Sequence, residues 1–221
     1  DMIKEEEVVV MISKMGYIKR VPLTLYKAQG KGGKGSLSTN LIEDDYINQI
    51  FIATTKSYIT FLTNEGKAYW IKVHEIPESS RSSRGSSVKS LLQVGPDEEI
   101  TTIVTMKEIT DTQYIFMATA NGIVKKCAVT EFANAKTRGV IAIKMRDGDK
   151  LVSSILSGGN DEVMLVTRRG QALRIAEEDV RPMGRASGGV TGIKLSAGDE
   201  LAAAITVEEG KEALVITENG I

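Results

Sequence analysis

The sequence predicts an all-β chain, built as a circular stack of small four-stranded antiparallel sheets. Three observations carry this expectation. A hairpin-like motif recurs about every fifty residues, glycine turns separate strand-like apolar runs, and no stretch presents a long helical apolar face.

The motif reads VVVMISKMGYIKRV, TFLTNEGKAYWIKV, IFMATANGIVKKCAV and VMLVTRRGQALRIA, and ALVITENGI begins a fifth. Its turn glycines are Gly16, Gly66, Gly122, Gly170 and Gly220, spaced by 50, 56, 48 and 50 residues. Tight turns between strands need positive φ, which glycine tolerates. Ten residues after each turn stands an apolar side chain: Tyr26, Ile76, Phe132, Val180. A second glycine follows, at Gly33, Gly85, Gly139 and Gly188. Then comes an acidic knot: Asp44–Asp45, Asp97–Glu99, Asp147 with Asp149, Asp199–Glu200. Ile47, Ile100, Leu151 and Leu201 come next.

About fifty residues suit four short strands with their turns, and one such sheet cannot bury both faces alone. The expectation is a single domain over 1–221 with blades near 1–48, 49–99, 100–150, 151–200 and, in part, 201–221. The last unit stops one residue past its turn glycine, so the natural chain is expected to continue.

Composition narrows the function. The chain has 221 residues, 42% hydrophobic and 26% charged, as ordinary globular proteins do. One cysteine, Cys127, excludes an internal disulfide and fits a reducing, cytosolic setting. With one histidine, His74, no zinc site of the usual nitrogen and sulfur ligands can form. Apolar runs are too short to span a bilayer, and no signal peptide opens the sequence.

The net charge of −1 hides a strong segregation. Windows 14–35, 66–94, 122–146 and 168–194 hold 23 of the 28 basic residues but 6 of the 29 acidic ones. In a radial stack these windows fall at one radius and form a positive belt. The candidate belt residues are Lys19, Arg20, Arg81, Arg84, Lys125, Lys126, Lys136, Arg138, Arg168, Arg169, Arg174 and Arg185. A belt of this kind suits bent duplex DNA, whose phosphates need cations and backbone N–H groups at close approach but no base reading. Bending 20–30 bp by 40–90° costs on the order of 1–6 kcal/mol, which several loops along an arc can offset. Tyr69 and Trp70 read as packing between blades.

Residues 29–35, QGKGGKG, carry four glycines and two lysines with no acid. Such a loop cannot pack a core; a bare backbone beside cations suits close contact with a polyanion. A P-loop would need Gly-Lys-Ser/Thr in that order, opening a helix; here Lys34, Gly35 and Ser36 stand in another order. His74 alone supports no Ser/His/Asp set, and the recurring acids read as turn chemistry, so no catalytic residue is expected.

The chain resembles the C-terminal domain of the bacterial DNA gyrase A subunit. Gln29, Gly30, Lys31, Gly32, Gly33, Lys34 and Gly35 are similar to the gyrase A box Q-R-R-G-G-K-G at five of seven positions. The preceding EEEVVVMISKMGYIKRVPLTLYKAQ and the later TRGVIAIKM and RASGGVTGIKL also look like that family's blades. The resemblance implies a β-pinwheel, six-bladed in the family, with strands exchanged between neighbouring blades. It implies a rim that wraps DNA without sequence preference, using the box. That wrapping lets an enzyme of two A and two B subunits introduce negative supercoils in the bacterial cytoplasm, at the nucleoid. The cleaving tyrosine, ATP and Mg would then act in other parts of the enzyme, with no cofactor in this domain, which alone would be monomeric. Two alternatives stay open: the related topoisomerase IV domain, whose box is degraded or missing, and a propeller that binds proteins.

Overall fold

A computed structural model of the chain describes residues 2–26, 44–208 and 210. The first repeat supplies β1 (Glu7–Ser13), β2 (Tyr17–Pro22) and β3 (Ile47–Thr54). The second supplies β4 (Tyr58–Thr63), β5 (Lys67–Lys72), β6 (Ser86–Ser87) and β7 (Ile100–Met106). From the third come β8 (Tyr114–Thr119), β9 (Ile123–Ala128), β10 (Val140–Ile141) and β11 (Leu151–Ser157). The fourth gives β12 (Glu162–Thr167), β13 (Ala172–Ala176), β14 (Val190–Thr191) and β15 (Leu201–Val207).

These strands form four antiparallel sheets, in the orders β3-β1-β2-β6, β10-β5-β4-β7, β11-β8-β9-β14 and β13-β12-β15. Each of the first three blades takes its outermost strand from the following repeat. Tyr17 pairs with Ser87, Ala68 with Val140 and Val124 with Val190. Among the described residues β13 has no outer partner, and its first three residues are exposed.

The strand that follows each acidic knot closes the sheet before it. β3 pairs with β1, β7 with β4, β11 with β8 and β15 with β12. The expected unit boundaries at 48/49, 99/100, 150/151 and 200/201 therefore fall inside blades or cut a closing strand from its sheet. Leu201–Val207 completes the fourth blade and does not open a fifth. The start of a fifth, ALVITENGI, lies outside the described residues.

The middle strands explain the unbroken apolar runs. β8 is buried along almost its whole length because a neighbouring sheet covers each face, and β1 is buried as well, with Val8, Val10 and Ile12 turned toward the second blade. Val8, Val10 and Ile12 meet Ile59, Phe61 and Ile71 in one core; Leu62 and Val104 meet Ile115 and Met117 in the next; Phe116 and Val124 meet Val163 and Leu165 in the third. Phe61 and Phe116 are wholly buried. Each such side chain contributes roughly 1.5–3 kcal/mol over its exposed state. β7 packs beside β11 and β11 beside β15, so the closing strands lie inward. The short exchanged strands occupy the opposite, outer edge.

Candidate nucleic-acid interface

Two ends of each hairpin have different chemistry. At the turn, Gly16, Gly66, Gly122 and Gly170 all have φ between +80° and +84°. A hydroxyl three residues earlier (Ser13, Thr63, Thr119, Thr167) accepts the amide that follows each glycine. The acidic knots complete this turn. Asp45 accepts from the amides of Met15 and Tyr46, Asp149 from Asn121 and Lys150, and Asp199 from Arg169 and Glu200, all within 2.8–3.1 Å. Burial works to raise the Asp45 and Asp199 carboxyls. The hydroxyls of Ser13 and Thr167 and these amides outweigh it and hold both below the usual carboxylate range.

The other end joins neighbouring blades. At the fourth position after the turn glycine, Arg20 Nε donates to the Ile76 carbonyl at 2.5 Å and Trp70 Nε1 to the Phe132 carbonyl at 2.9 Å. Lys126 Nζ donates to the Glu177 carbonyl at 3.1 Å and lies 3.6 Å from the Glu177 carboxylate. These three carbonyls belong to a 3-10 turn of the following repeat, or to the residue capping it, and Lys126 Nζ reaches the Gly159 carbonyl as well, at 3.2 Å. Arg174, the fourth such residue, pairs with Glu162 of its own blade.

The third position is an interior one in the first three blades, whereas Leu173 in the fourth is exposed. Lys19 is 1% exposed and Lys125 0%. Lys19 Nζ donates to the carbonyls of Arg81 (2.6 Å) and Ser83 (2.8 Å), and Lys125 Nζ to those of Arg185 (2.5 Å), Ala142 (2.8 Å) and Ser187 (3.0 Å). Burial pushes both ammonium groups below their ordinary range, and pushes the neighbouring Cys127 thiol up to about 11. In the second blade Tyr69 takes this place, with its hydroxyl on Glu98 at 3.0 Å.

Four of the twelve expected belt residues are therefore joints between blades. Lys19, Lys125 and Lys126 are buried, and the Arg20 side chain is 17% exposed with Glu78 beside it at 3.2 Å. Arg20 and Lys126 are covered by the 3-10 turns of the following repeat, which accept their bonds; for Lys19 and Lys125 the reason is strand alternation. Successive side chains point to opposite faces, so Lys19 shares the face of Val21 and Lys125 that of Cys127, both inside.

The second glycines also differ from expectation. Gly85, Gly139 and Gly189 immediately precede the exchanged strands, each with positive φ. A Cβ would lie 2.4 Å from the Ile18 carbonyl oxygen at Gly85, 2.4 Å from the Tyr69 ring at Gly139 and 2.5 Å from the Val124 carbonyl oxygen at Gly189. These glycines admit the neighbouring strand. In the fourth repeat the equivalent residue is Gly189, one beyond Gly188.

What remains outside is a set of cations flanking the exchanged strands. Arg84 and Lys89 flank β6; Lys136, Arg138 and Lys144 flank β10; Arg181, Arg185 and Lys194 flank β14. Arg185 is half-buried and the other seven are exposed. Arg81 and Arg84 lie against the rings of Tyr26 and Tyr17, at 5.2 and 4.5 Å. Arg168 and Arg169 stand instead at the fourth turn, beside Glu200 and Asp199. Lys89, Lys144, Arg181 and Lys194 were not among the expected belt residues, although all four lie in the basic windows. Gln29 to Gly35 lie outside the described residues.

Strand-exchanged four-stranded blades, stacked with inner closing strands and a cation-bearing outer edge, define a propeller-like repeat domain. More specifically, the chain belongs to the DNA gyrase C-terminal domain family. The family described as DNA gyrase C-terminal domain, beta-propeller, matches residues 7–54, 57–105, 113–157 and 161–208. The chain is 56% identical over 187 residues to the DNA gyrase A subunit of Treponema pallidum (strain Nichols), covering 85% of this chain and 23% of that protein. A solved DNA gyrase A C-terminal domain matches with a TM-score of 0.77 and 34% identity, over 92% of this chain and 66% of that one. The C-terminal domain of DNA topoisomerase IV matches with a TM-score of 0.76 and 26% identity, over 94% and 63%. The chain spans about a quarter of the length of the curated relatives it matches.

Proposed function

We propose that this domain binds duplex DNA along its outer edge, without sequence preference, and bends it around the stack. The observation that carries this is the recurrence of exposed cations beside β6, β10 and β14, one cluster on each of the first three blades. Such a track neutralises phosphates at intervals along an arc, which a bent duplex needs and a single patch does not supply. Lys31 and Lys34 of the loop Gln29–Gly35, outside the described residues, add to phosphate binding in this reading. In the whole protein the domain serves a type II topoisomerase of A and B subunits, in the bacterial cytoplasm. There wrapping selects the crossing that ATP-driven strand passage turns into a negative supercoil. Bond cleavage and nucleotide hydrolysis belong to other parts of that enzyme, and this domain contributes geometry alone.

The test is topological. The domain is bound to nicked circular duplex, the nick is sealed, and the linking number is read. A shift that grows with protein supports wrapping and is expected to shrink with Lys31 and Lys34 both changed to Ala. Salt-sensitive binding with no linking change removes wrapping and favours segment capture by a topoisomerase IV-type domain. No duplex affinity at low salt removes the proposal and leaves a protein-binding propeller.

A further inference from the structure

Lys125 is the most enclosed cation among the described residues, and most of its bonds run to one segment. Two of its three acceptors, the carbonyls of Arg185 and Ser187, lie in the segment that leads into β14. Lys19 repeats the arrangement one sheet pair earlier, on Arg81 and Ser83, the segment leading into β6. The residues correspond one to one: Arg81 and Arg185 both stand four positions before the glycine that opens the exchanged strand, and Ser83 and Ser187 two before it. Three carbonyl acceptors need three N–H donors, which an ammonium has and neither a neutral amine nor any apolar side chain provides. Charge-assisted bonds of this kind fix a backbone more firmly than neutral ones. The side chains on the held backbone point elsewhere. Arg185 Nη1 reaches the Ile141 carbonyl of β10 at 3.4 Å, and Arg81 Nη1 the Leu25 carbonyl at 3.4 Å. The Arg185 guanidinium thus sits beside β10, the outer strand of the second blade, and that of Arg81 beside the 3-10 turn Leu23–Leu25, each over a backbone pinned from within. The second blade is a natural contrast: Tyr69 and Glu98 replace the ammonium, and the corresponding segment is held by Trp70 N–H on the Lys136 carbonyl at 3.0 Å.

We infer that Lys19 and Lys125 are positioning residues for DNA binding: each fixes a segment of the outer edge from inside and so presents Arg81 or Arg185 to duplex phosphate. This rests on the outer-edge reading proposed above. Neither lysine touches DNA, because neither is accessible.

The test uses the whole chain and a random-sequence duplex, with four variants. Lys125→Met keeps the aliphatic stem and removes the ammonium. Arg185→Ala removes the presented group, the double variant joins them, and Lys150→Met deletes the same unit charge from an exposed turn. Arg185→Ala and Lys125→Met are each expected to weaken binding about tenfold, and the double variant no further than either alone. Lys150→Met should change affinity less than about twofold, since a distant exposed charge is screened. Hydrogen exchange in Lys125→Met should accelerate across 184–189 and remain unchanged across 134–139. Additive losses, or exchange that accelerates equally in both segments, overturn the positioning role. If Arg185→Ala weakens binding and Lys125→Met does not, the inference fails while the outer-edge reading stands. If neither Arg185→Ala nor Arg81→Ala alters affinity, the inference fails; if Arg84→Ala and Arg138→Ala are also without effect, the outer-edge reading fails with it. Should Lys125→Met not fold, Lys19→Met with Arg81→Ala makes the same cycle on the first blade, with exchange read across 80–85.

Discussion

The indole N–H of Trp70 donates to the carbonyl of Phe132 at 2.9 Å, tying the second blade to the 3-10 turn of the third repeat. The ring also meets Tyr58 edge-on, with centroids 4.9 Å apart. Trp70→Phe keeps an aromatic ring but removes the donor and leaves a carbonyl without it. The expected loss is about 1–2 kcal/mol, or a fall in Tm of roughly 2–8 °C for a chain of this size. Calorimetry reads the shift, and duplex affinity should not change. A loss of affinity at unchanged Tm would make Trp70 a stacking platform for bases.

Gly16 and Gly139 separate two reasons for glycine. Both have positive φ, but a Cβ at Gly16 meets nothing within 4 Å, whereas one at Gly139 falls 2.4 Å from the Tyr69 ring. Gly16→Ala should cost about 1 kcal/mol from left-handed strain. Gly139→Ala adds overpacking and should cost roughly 2–4 kcal/mol. Equal losses in denaturant titrations would mean that the approach of the exchanged strand is not close in solution.

Glu98 gives the fold an acid limit. Burial works to raise its carboxyl, but the Gly95 amide, the hydroxyls of Thr63 and Tyr69 and the Lys67 charge outweigh it, so its folded pKa lies below 4.5. A depressed carboxylate contributes stability that is present in full above its unfolded pKa. The contribution falls away as pH drops below about 4.5 and through the lower folded value. Glu98→Gln should therefore narrow its stability gap from the parent as pH falls below about 4.5. A gap that stays constant or widens in urea titrations down to pH 3 would contradict this.

Exposed and paired arginines should differ in salt dependence. Arg84 and Arg138 are exposed beside exchanged strands, whereas Arg174 is paired with Glu162. Replacing Arg84 or Arg138 by Ala should flatten the log–log salt slope of duplex binding by about 0.9 for each phosphate no longer neutralised. Arg174→Ala should leave it almost unchanged. The opposite order would move the DNA track to the face of β13.

Much of the fold is legible because its signals are local. Gly66 marks its turn in the sequence, Thr63 completes it three residues away, and the apolar run of β8 announces two covered faces. The acids too read correctly as turn chemistry, since Asp149 and Asp199 recur in register with the turns. Strand exchange is written nowhere locally. Ser86 and Ser87 form a two-residue strand whose partner, β2, lies some seventy residues away, and no hydrophobic pattern marks it. The candidate interface was half legible. Charge segregation located the outer edge, but a count of cations does not distinguish Lys125 from Lys136. Alternation within KKCA and IKRV was the available signal for Lys125 and Lys19, which share the faces of Cys127 and Val21; Lys126 is buried by a turn some fifty residues away, which no local pattern marks. For Gly85 and Gly139 the need for a bare backbone was evident, but the neighbour was not; it is protein.

The borrowed outer strands bear on how the stack carries a load. A ligand drawn taut around the edge pulls outward on β10. That strand is covalently continuous with the third repeat although it sits on the second blade. Tension at one blade is thus shared as shear along the backbone of the next, and the stack resists splaying much as overlapping shingles resist lifting.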